Sequence, residues 1–345
     1  MNDLNVLENA DLTALNTFGV EAQAQFLVSC RSFDALNLML KDINDAKDPL
    51  LVLGDGSNVL FTQNFPGVVL LPQLPGIEQL KSPGSHARVR VGAGENWHRF
   101  VDWTLKQSLF GLENLALIPG TVGAAPIQNI GAYGVELDRF VDAVDVIDRH
   151  TLETKRFSKA ECQFRYRHSR FKSVEVGRYI VTHVEFLLPR ESSLVLSYAG
   201  IRDELENLKA HVNPTARDVF KAVCKLREEK LPDPLEYGNA GSFFKNPLVD
   251  AETAARITAE VSGFSYFPTN MGGQAKISAA WLIENAGLKG HSIGGAQVSK
   301  QHALVLINRK RATGQELWQL AEFVMQTVKQ RFGVHLEPEP LIIYP

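Results

Sequence analysis

A serine set between a glycine and two phenylalanines is the first place in this sequence where chemistry could be done. In GNAGSFFKNP, residues 238–247, Ser242 sits on permissive backbone beside bulky apolar walls. Such a setting could keep a hydroxyl dry and aimed at a reacting carbon. Lys245 and Asn246 could hold phosphate or amide groups nearby. Taken alone, the segment reads more simply as a strand-entry turn anchored by its phenylalanines. Tyr166 and Arg167 fall in FRYRHSRFK, a basic aromatic cluster. Arginine suits bidentate capture of a carboxylate; a solvated cationic edge is the plainer alternative. Glu339 stands between Pro338 and Pro340, which would hold a carboxylate rigidly, unless the segment is a surface tail.

Two glycine-rich segments could receive a ligand through their backbones. Residues 114–135, NLALIPGTVGAAPIQNIGAYGV, carry no charge, and Pro119, Pro126, Gly120, Gly123, Gly131 and Gly134 rule out a long buried helix. Glycine lets a backbone approach a ligand with its N–H groups free to donate. Gln128 and Asn129 add amides that could read the polar edge of a flat heterocycle. Ordering so long a loop is costly unless something large packs on it. A dinucleotide-sized cofactor and a packed connection between strands stand equal on this run alone. The second segment, Gly54-Asp-Gly-Ser-Asn58, follows a strand, but Val59 occupies the third glycine position of the dinucleotide fingerprint, so that fingerprint fails. A tight turn whose N–H groups and Ser57 hydroxyl receive a pyrophosphate remains possible, beside a plain turn between strands. No P-loop, HExxH or GxSxG motif is present, and the histidines are scattered.

The elements that must position these groups alternate. Residues 33–43 carry Leu36, Met39, Leu40 and Ile43 at helical spacing, and 96–109 form an amphipathic helix through Trp97, Phe100, Val101, Leu105 and Leu109. Buried strands are expected at 51–53 and 68–71, a half-buried strand at 88–91, and further strands at 144–148 and 179–188. A helix over 215–230 starts on a Thr215/Asp218 capping pattern, and Leu231-Pro-Asp-Pro reads as a hinge. Helices at 251–261, 278–286 and 315–332 and a strand at 303–308 then make a compact α/β domain. The whole is α+β, not a regular βαβ array.

The 345 residues are 45% hydrophobic and 22% charged, an ordinary globular composition for two or three domains. A net charge of −3 argues against nucleic acid or an anionic membrane as partner. Cys30, Cys162 and Cys224 are odd in number and far apart, which fits a reducing compartment without disulfides. The N-terminus lacks a signal-peptide pattern, and no stretch is apolar enough to span a membrane. A soluble cytoplasmic protein is expected.

In order, LNTFGV, LGDGSNVLF, IPGTVGAAPIQNIGAYGVEL, YRHSRFK, LPDP, GNAGSFFKNP, AAWLIENAGLKG and LEPE resemble one family over nearly the whole chain. It is the UDP-N-acetylenolpyruvoylglucosamine reductases, flavoenzymes that make UDP-N-acetylmuramate for peptidoglycan. The segment holding LSYAG resembles the family's type I form, with Tyr198 on a loop over the substrate. The resemblance implies three domains. Residues 1–75, with 333–345 returning to them, and 76–230 would form a vanillyl-alcohol-oxidase-like FAD-binding fold. Residues 231–332 would form a substrate-binding domain.

The implied reaction uses FAD and NADPH on a sugar-nucleotide substrate: hydride goes to C3 of the enolpyruvyl ether and a proton to C2. By resemblance, Arg167 stabilises the developing carboxylate charge, Glu339 partners it and Ser242 delivers the proton. Tyr133, Tyr198, Lys230 and Asn246 match substrate positions. Gly54, Gly56, Ser57, Asn58, Pro119, Gly120, Thr121, Val122, Gly123, Gln128, Asn129 and Arg227 match the cofactor side. Arg227 and Lys230, three apart, share a helix face. The family commonly has an apolar residue and then Arg after its late Glu; Pro340 and Leu341 stand there instead, and Glu337 is a rival for the Glu339 role. A monomer is expected. The alternative activity is an FAD-dependent oxidase or dehydrogenase of the same fold acting on another substrate.

Overall fold

The computed structural model describes residues 3–173, 175–260, 266–268 and 274–344. Contacts divide the chain into two compact units. The first holds 1–10, 23–56 and 65–229, and the second 11–22, 57–64 and 230–345.

The first unit contains two larger sheets besides the short pair Gly131–Ala132 and Val135–Glu136. One is four-stranded, in the order Leu4–Asp11, Gln23–Cys30, Phe65–Pro72 and Leu50–Val52. Phe65–Pro72 runs parallel to both of its neighbours, and helix Phe33–Ala46 buries Leu36, Leu40 and Ile43 in the adjoining core. Val68, Val69 and Leu70 are all buried, the continuous apolar run expected of a strand covered on both faces. The other sheet has five antiparallel strands, in the order Thr154–Ser158, Val141–Asp148, Tyr179–Pro189, His86–Gly92 and Ile77–Leu80. Its core collects Trp97, Phe100, Leu112, Leu115, Phe186 and Val219.

Helix Trp97–Lys106 starts on Asn96, whose side chain accepts from the Arg99 amide. It stops short of the expected residue 109 because Ser108 turns left-handed at φ +57°, while the Leu109 amide still bonds Thr104. Helix Ala216–Lys230 starts as its sequence predicts. The Thr215 hydroxyl donates to Asp218 Oδ2, and the Asp218 amide returns a bond to that hydroxyl.

The second unit has two three-stranded antiparallel sheets, Leu248–Asp250, Gln274–Ile277, Tyr266–Pro268 and Ser292–Ile293, Ala296–Val298, Leu306–Asn308. Helices Ala251–Glu260, Ala279–Asn285 and Gly314–Phe332 accompany them; Val261, the expected end of the first, lies outside the described residues. The strand expected over 303–308 is confined to Leu306–Asn308. Before it Ala303 and Leu304 turn and Val305 forms an isolated bridge: the Val305 amide bonds His302 O, and the Leu304 carbonyl accepts from the Phe243 amide. Leu341–Ile343 pairs in parallel with Val59–Phe61. That makes Val59–Phe61 a strand and no helix start, which explains why the dinucleotide fingerprint breaks at Val59.

Candidate active site

The uncharged run is templated on the start of helix Trp97–Lys106. The Trp97 indole donates to Leu115 O at 2.9 Å, and its amide to Gly120 O at 3.0 Å. The Val122 amide bonds Glu95 O at 2.8 Å, and that of Gly123 bonds Ala93 O at 2.9 Å. Between these ties, Gly120 takes φ +121°, which only glycine adopts without strain. The Gly54 turn comes so close that a Cβ at Gly54 would lie 2.7 Å from Thr121 Oγ1. Among the described residues no acceptor takes the N–H groups of Gly54, Asp55 or Gly56, nor those of Gly120 and Thr121. Two strips of backbone donors are therefore gathered in one place. Arg227 supports the run from beneath, its Nε donating to Leu117 O at 3.2 Å.

Arg167 is displayed at the tip of a two-residue turn. Arg165 and His168 exchange both backbone bonds at 3.0 Å, and Arg167 sits at φ +52°. That left-handed backbone is uncommon for a non-glycine residue and is held here by the closed turn. The guanidinium donates through Nη2 to Gly131 O and lies 5.3 Å from the Tyr166 ring centre. So the arginine reaches back to the uncharged run. Tyr133, also left-handed at φ +48°, is half-buried. Burial pushes its phenol up to about 12, so the hydroxyl stays protonated and can donate. Tyr198 lies against its ring. Asn114, buried, donates to Tyr133 O and to Val195 O at 2.9 Å each.

Ser242 and Glu339 are carried by neighbouring backbone segments of the second unit. Glu339 N donates to Phe243 O at 2.8 Å and Lys245 N to Glu337 O at 2.9 Å. On the other side, Ser242 pairs with Val305. Phe243 and Phe244 are fully buried and anchor the segment. Asn58 Nδ2 donates to Glu339 O at 3.4 Å, and Leu341 N donates to Asn58 O at 3.0 Å. Glu337 is 72% exposed and paired with Lys245 at 3.0 Å, whereas Glu339 is half-buried. Asn246 Oδ1 accepts from the Ala279 amide at 2.9 Å, and Lys230 is exposed at the end of its helix.

Residues 233–343 match the model of the UDP-N-acetylenolpyruvoylglucosamine reductase C-terminal domain, and 24–152 match that of an FAD binding domain. The reductase of that name from Xanthomonas euvesicatoria pv. vesicatoria is 49% identical over 97% of this chain and 95% of its own length. The chain belongs to the UDP-N-acetylenolpyruvoylglucosamine reductase family. The crystal structure of the UDP-N-acetylenolpyruvylglucosamine reductase from Thermus caldophilus, 23% identical, matches with TM-score 0.65 over 99% of both chains. The 6-hydroxy-D-nicotine oxidase of Arthrobacter nicotinovorans, 14% identical, matches with TM-score 0.53 over 96% of this chain and 86% of its own. The fold is thus α+β, a vanillyl-alcohol-oxidase-like FAD-binding part followed by the family's C-terminal domain.

The residues present fit the cofactor of this reductase family. The bare N–H groups of the Gly54 turn and of Gly120 and Thr121 are a donor set suited to a pyrophosphate, and a side chain at Gly54 would fill the approach. One expected contact does not hold. Asn129 is fully buried, and its amide bonds Arg165 O at 3.1 Å and the Asp138 amide at 2.9 Å. Its side chain ties the uncharged run to the Arg167 turn and does not read a heterocycle edge. Gln128 differs, being half-buried and accepting from Lys172 at 3.1 Å. Trp97, in the sequence only part of a helix face, and Asn114 also support the run. The signals were present: an indole at a helix start, and a lone amide opening an apolar stretch.

Proposed function

We propose that this chain reduces the enolpyruvyl ether of UDP-N-acetylglucosamine enolpyruvate to UDP-N-acetylmuramate, a step of peptidoglycan precursor synthesis. What carries the reading is 49% identity across 97% of the chain to a curated reductase, with Arg167, Ser242 and Glu339 all present. FAD held in the site would supply the hydride for C3 of the enolpyruvyl group, with NADPH as its source. Every other role falls to side chains. Adding hydride to an enol ether conjugated with a carboxylate builds negative charge on the carboxylate oxygens, and the Arg167 guanidinium stabilises charge that develops only in the transition state. Glu339 partners that step. Its rival Glu337, exposed and paired with Lys245, is the less sheltered carboxylate, which supports Glu339. The Ser242 hydroxyl gives its proton to C2, which a weak acid can do only to a strongly basic carbon in a dry site.

Gly54, Gly56, Ser57, Asn58, residues 119–123, Gln128 and Arg227 serve the cofactor. Tyr133, Tyr198, Lys230 and Asn246 hold the sugar nucleotide. Residues 1–75 with 333–345 and residues 76–230 form the FAD-binding part, and 231–332 the substrate domain; the pairing of Leu341–Ile343 with Val59–Phe61 supports the returning tail. The enzyme works as a monomer in the cytoplasm, in keeping with three free cysteines. No described helix is long and apolar enough to cross a membrane.

An absorption spectrum tests the proposal. The purified protein should show flavin bands that NADPH bleaches and the enolpyruvyl sugar nucleotide restores. A protein that takes up no FAD ends it, and one recoloured by oxygen but not by that substrate is an oxidase of the same fold.

A further inference from the structure

Leu117 opens the Ile118-Pro-Gly-Thr-Val-Gly123 loop and is itself strained, with φ +56° on a branched, non-glycine residue. Both polar ends of this residue are held. Its carbonyl accepts from Arg227 Nε at 3.2 Å, and its amide donates to His98 Nδ1 at 3.0 Å. The imidazole cannot swing away, because it stacks on Phe220 with ring centres 5.2 Å apart and planes 14° apart.

An Nδ1 that accepts a hydrogen bond carries no proton, so the ring must be neutral with its proton on Nε2. Leu117 N–H and an Nδ1–H cannot share that space. Protonation of His98 therefore opposes the turn instead of merely weakening it.

We propose that His98 is a positioning residue for the flavin-binding loop, its unprotonated Nδ1 holding the Leu117 amide and with it the left-handed turn from which residues 118–123 run. The proposal rests on the reading of that loop as an FAD site and adds a residue that touches no reacting atom.

The surroundings favour the neutral ring. Burial lowers the affinity of His98 for a proton most; Arg227, on the helix packed against it, works the same way. Asp102, one turn along the same helix, and Glu228 oppose them. Asp102 is itself engaged by Arg217 and by Lys106 at 2.7 Å, and Glu95, Arg99 and Lys106 line the same shallow pocket. With the folded value lowered, the neutral ring and its bond are complete above the ordinary histidine value of about 6.5. They are lost as pH falls below that value and through the folded one.

The test is equilibrium release of FAD from the holoenzyme, read by flavin fluorescence from about pH 8 down to the lowest pH at which the protein stays folded, for wild type, His98→Ala and His98→Asn. An asparagine can offer Oδ1 where Nδ1 stood, and it does not titrate. Wild type should lose affinity about fivefold in acid, the worth of one hydrogen bond of about 1 kcal/mol. His98→Ala should show that loss already at the higher pH and little further change. His98→Asn should bind like wild type at the higher pH and keep its affinity in acid. Equal affinity of His98→Ala and wild type at the higher pH, or an undiminished acid loss in His98→Asn, overturns the proposal.

Should the alanine variant fail to fold, nitrogen NMR of the wild-type ring decides. The Nε2–H tautomer is expected, and an Nδ1–H tautomer refutes the role. A protein that binds no FAD at any pH defeats the functional reading instead, while the ring tautomer still reports on His98.

Discussion

The Tyr198 ring meets the Tyr133 ring edge-on, centroids 4.9 Å apart and planes at 64°. Neither residue sits in regular structure; each belongs to a loop, and one buried amide fixes both. Asn114 donates to Tyr133 O and to Val195 O, three residues before Tyr198. The aromatic pair is thus set from below by a residue that never reaches the surface.

Asn114→Asp keeps the shape of this anchor and loses both donors. It should raise KM for the sugar nucleotide about tenfold, the effect of releasing one loop by about 1.4 kcal/mol, and leave bleaching by NADPH unchanged. Steady-state and rapid-mixing kinetics on one preparation separate the two. Slower bleaching with KM unchanged would place Asn114 on the cofactor side.

The two late glutamates differ in what their loss should do. Glu337→Gln removes an exposed ion pair with Lys245, worth at most about 1 kcal/mol, so turnover should stay near wild type. Glu339→Gln should slow reoxidation by substrate about a hundredfold, the usual scale for a positioned proton-sharing group, with NADPH reduction unaffected. Rates of the two half-reactions decide, and the reverse ranking would move the catalytic assignment to Glu337.

Much of this arrangement is legible in the sequence, and what is not has physical reasons. The Thr215/Asp218 start, the run of buried strands and the break of the fingerprint at Val59 follow from local residue types, because capping and alternation are local effects. The motifs carrying Arg167, Ser242 and Glu339 also stand out, since glycine and proline mark unusual backbone. Three things escape. Asn129 has the composition of a ligand contact, and only burial with its partners Arg165, Asp138 and Glu136, 36, 9 and 7 residues away, shows that it is a strut. The Trp97 indole bond to Leu115 O spans 18 residues and leaves no periodic trace. The left-handed backbones of Leu117, Tyr133 and Arg167 belong to residue types that carry no signal for that conformation.

Asn129→Ala should therefore cost stability in both the FAD-loaded and FAD-free protein. It breaks two part-buried bonds, to the Arg165 carbonyl and from the Asp138 amide, a loss of about 2 kcal/mol. Thermal melting of both forms should show a similar drop. A drop confined to the loaded form would mean that Asn129 does read the flavin.

The central claim is that Ser242 supplies the proton to C2 and has no part in reduction by NADPH. Rapid-mixing spectroscopy of Ser242→Ala measures both halves separately. The account predicts that NADPH bleaches the flavin at close to the wild-type rate, while the enolpyruvyl sugar nucleotide restores its colour at least a hundredfold more slowly, at the scale of a lost proton donor of about 10²–10⁴. Recolouring at the wild-type rate would contradict it.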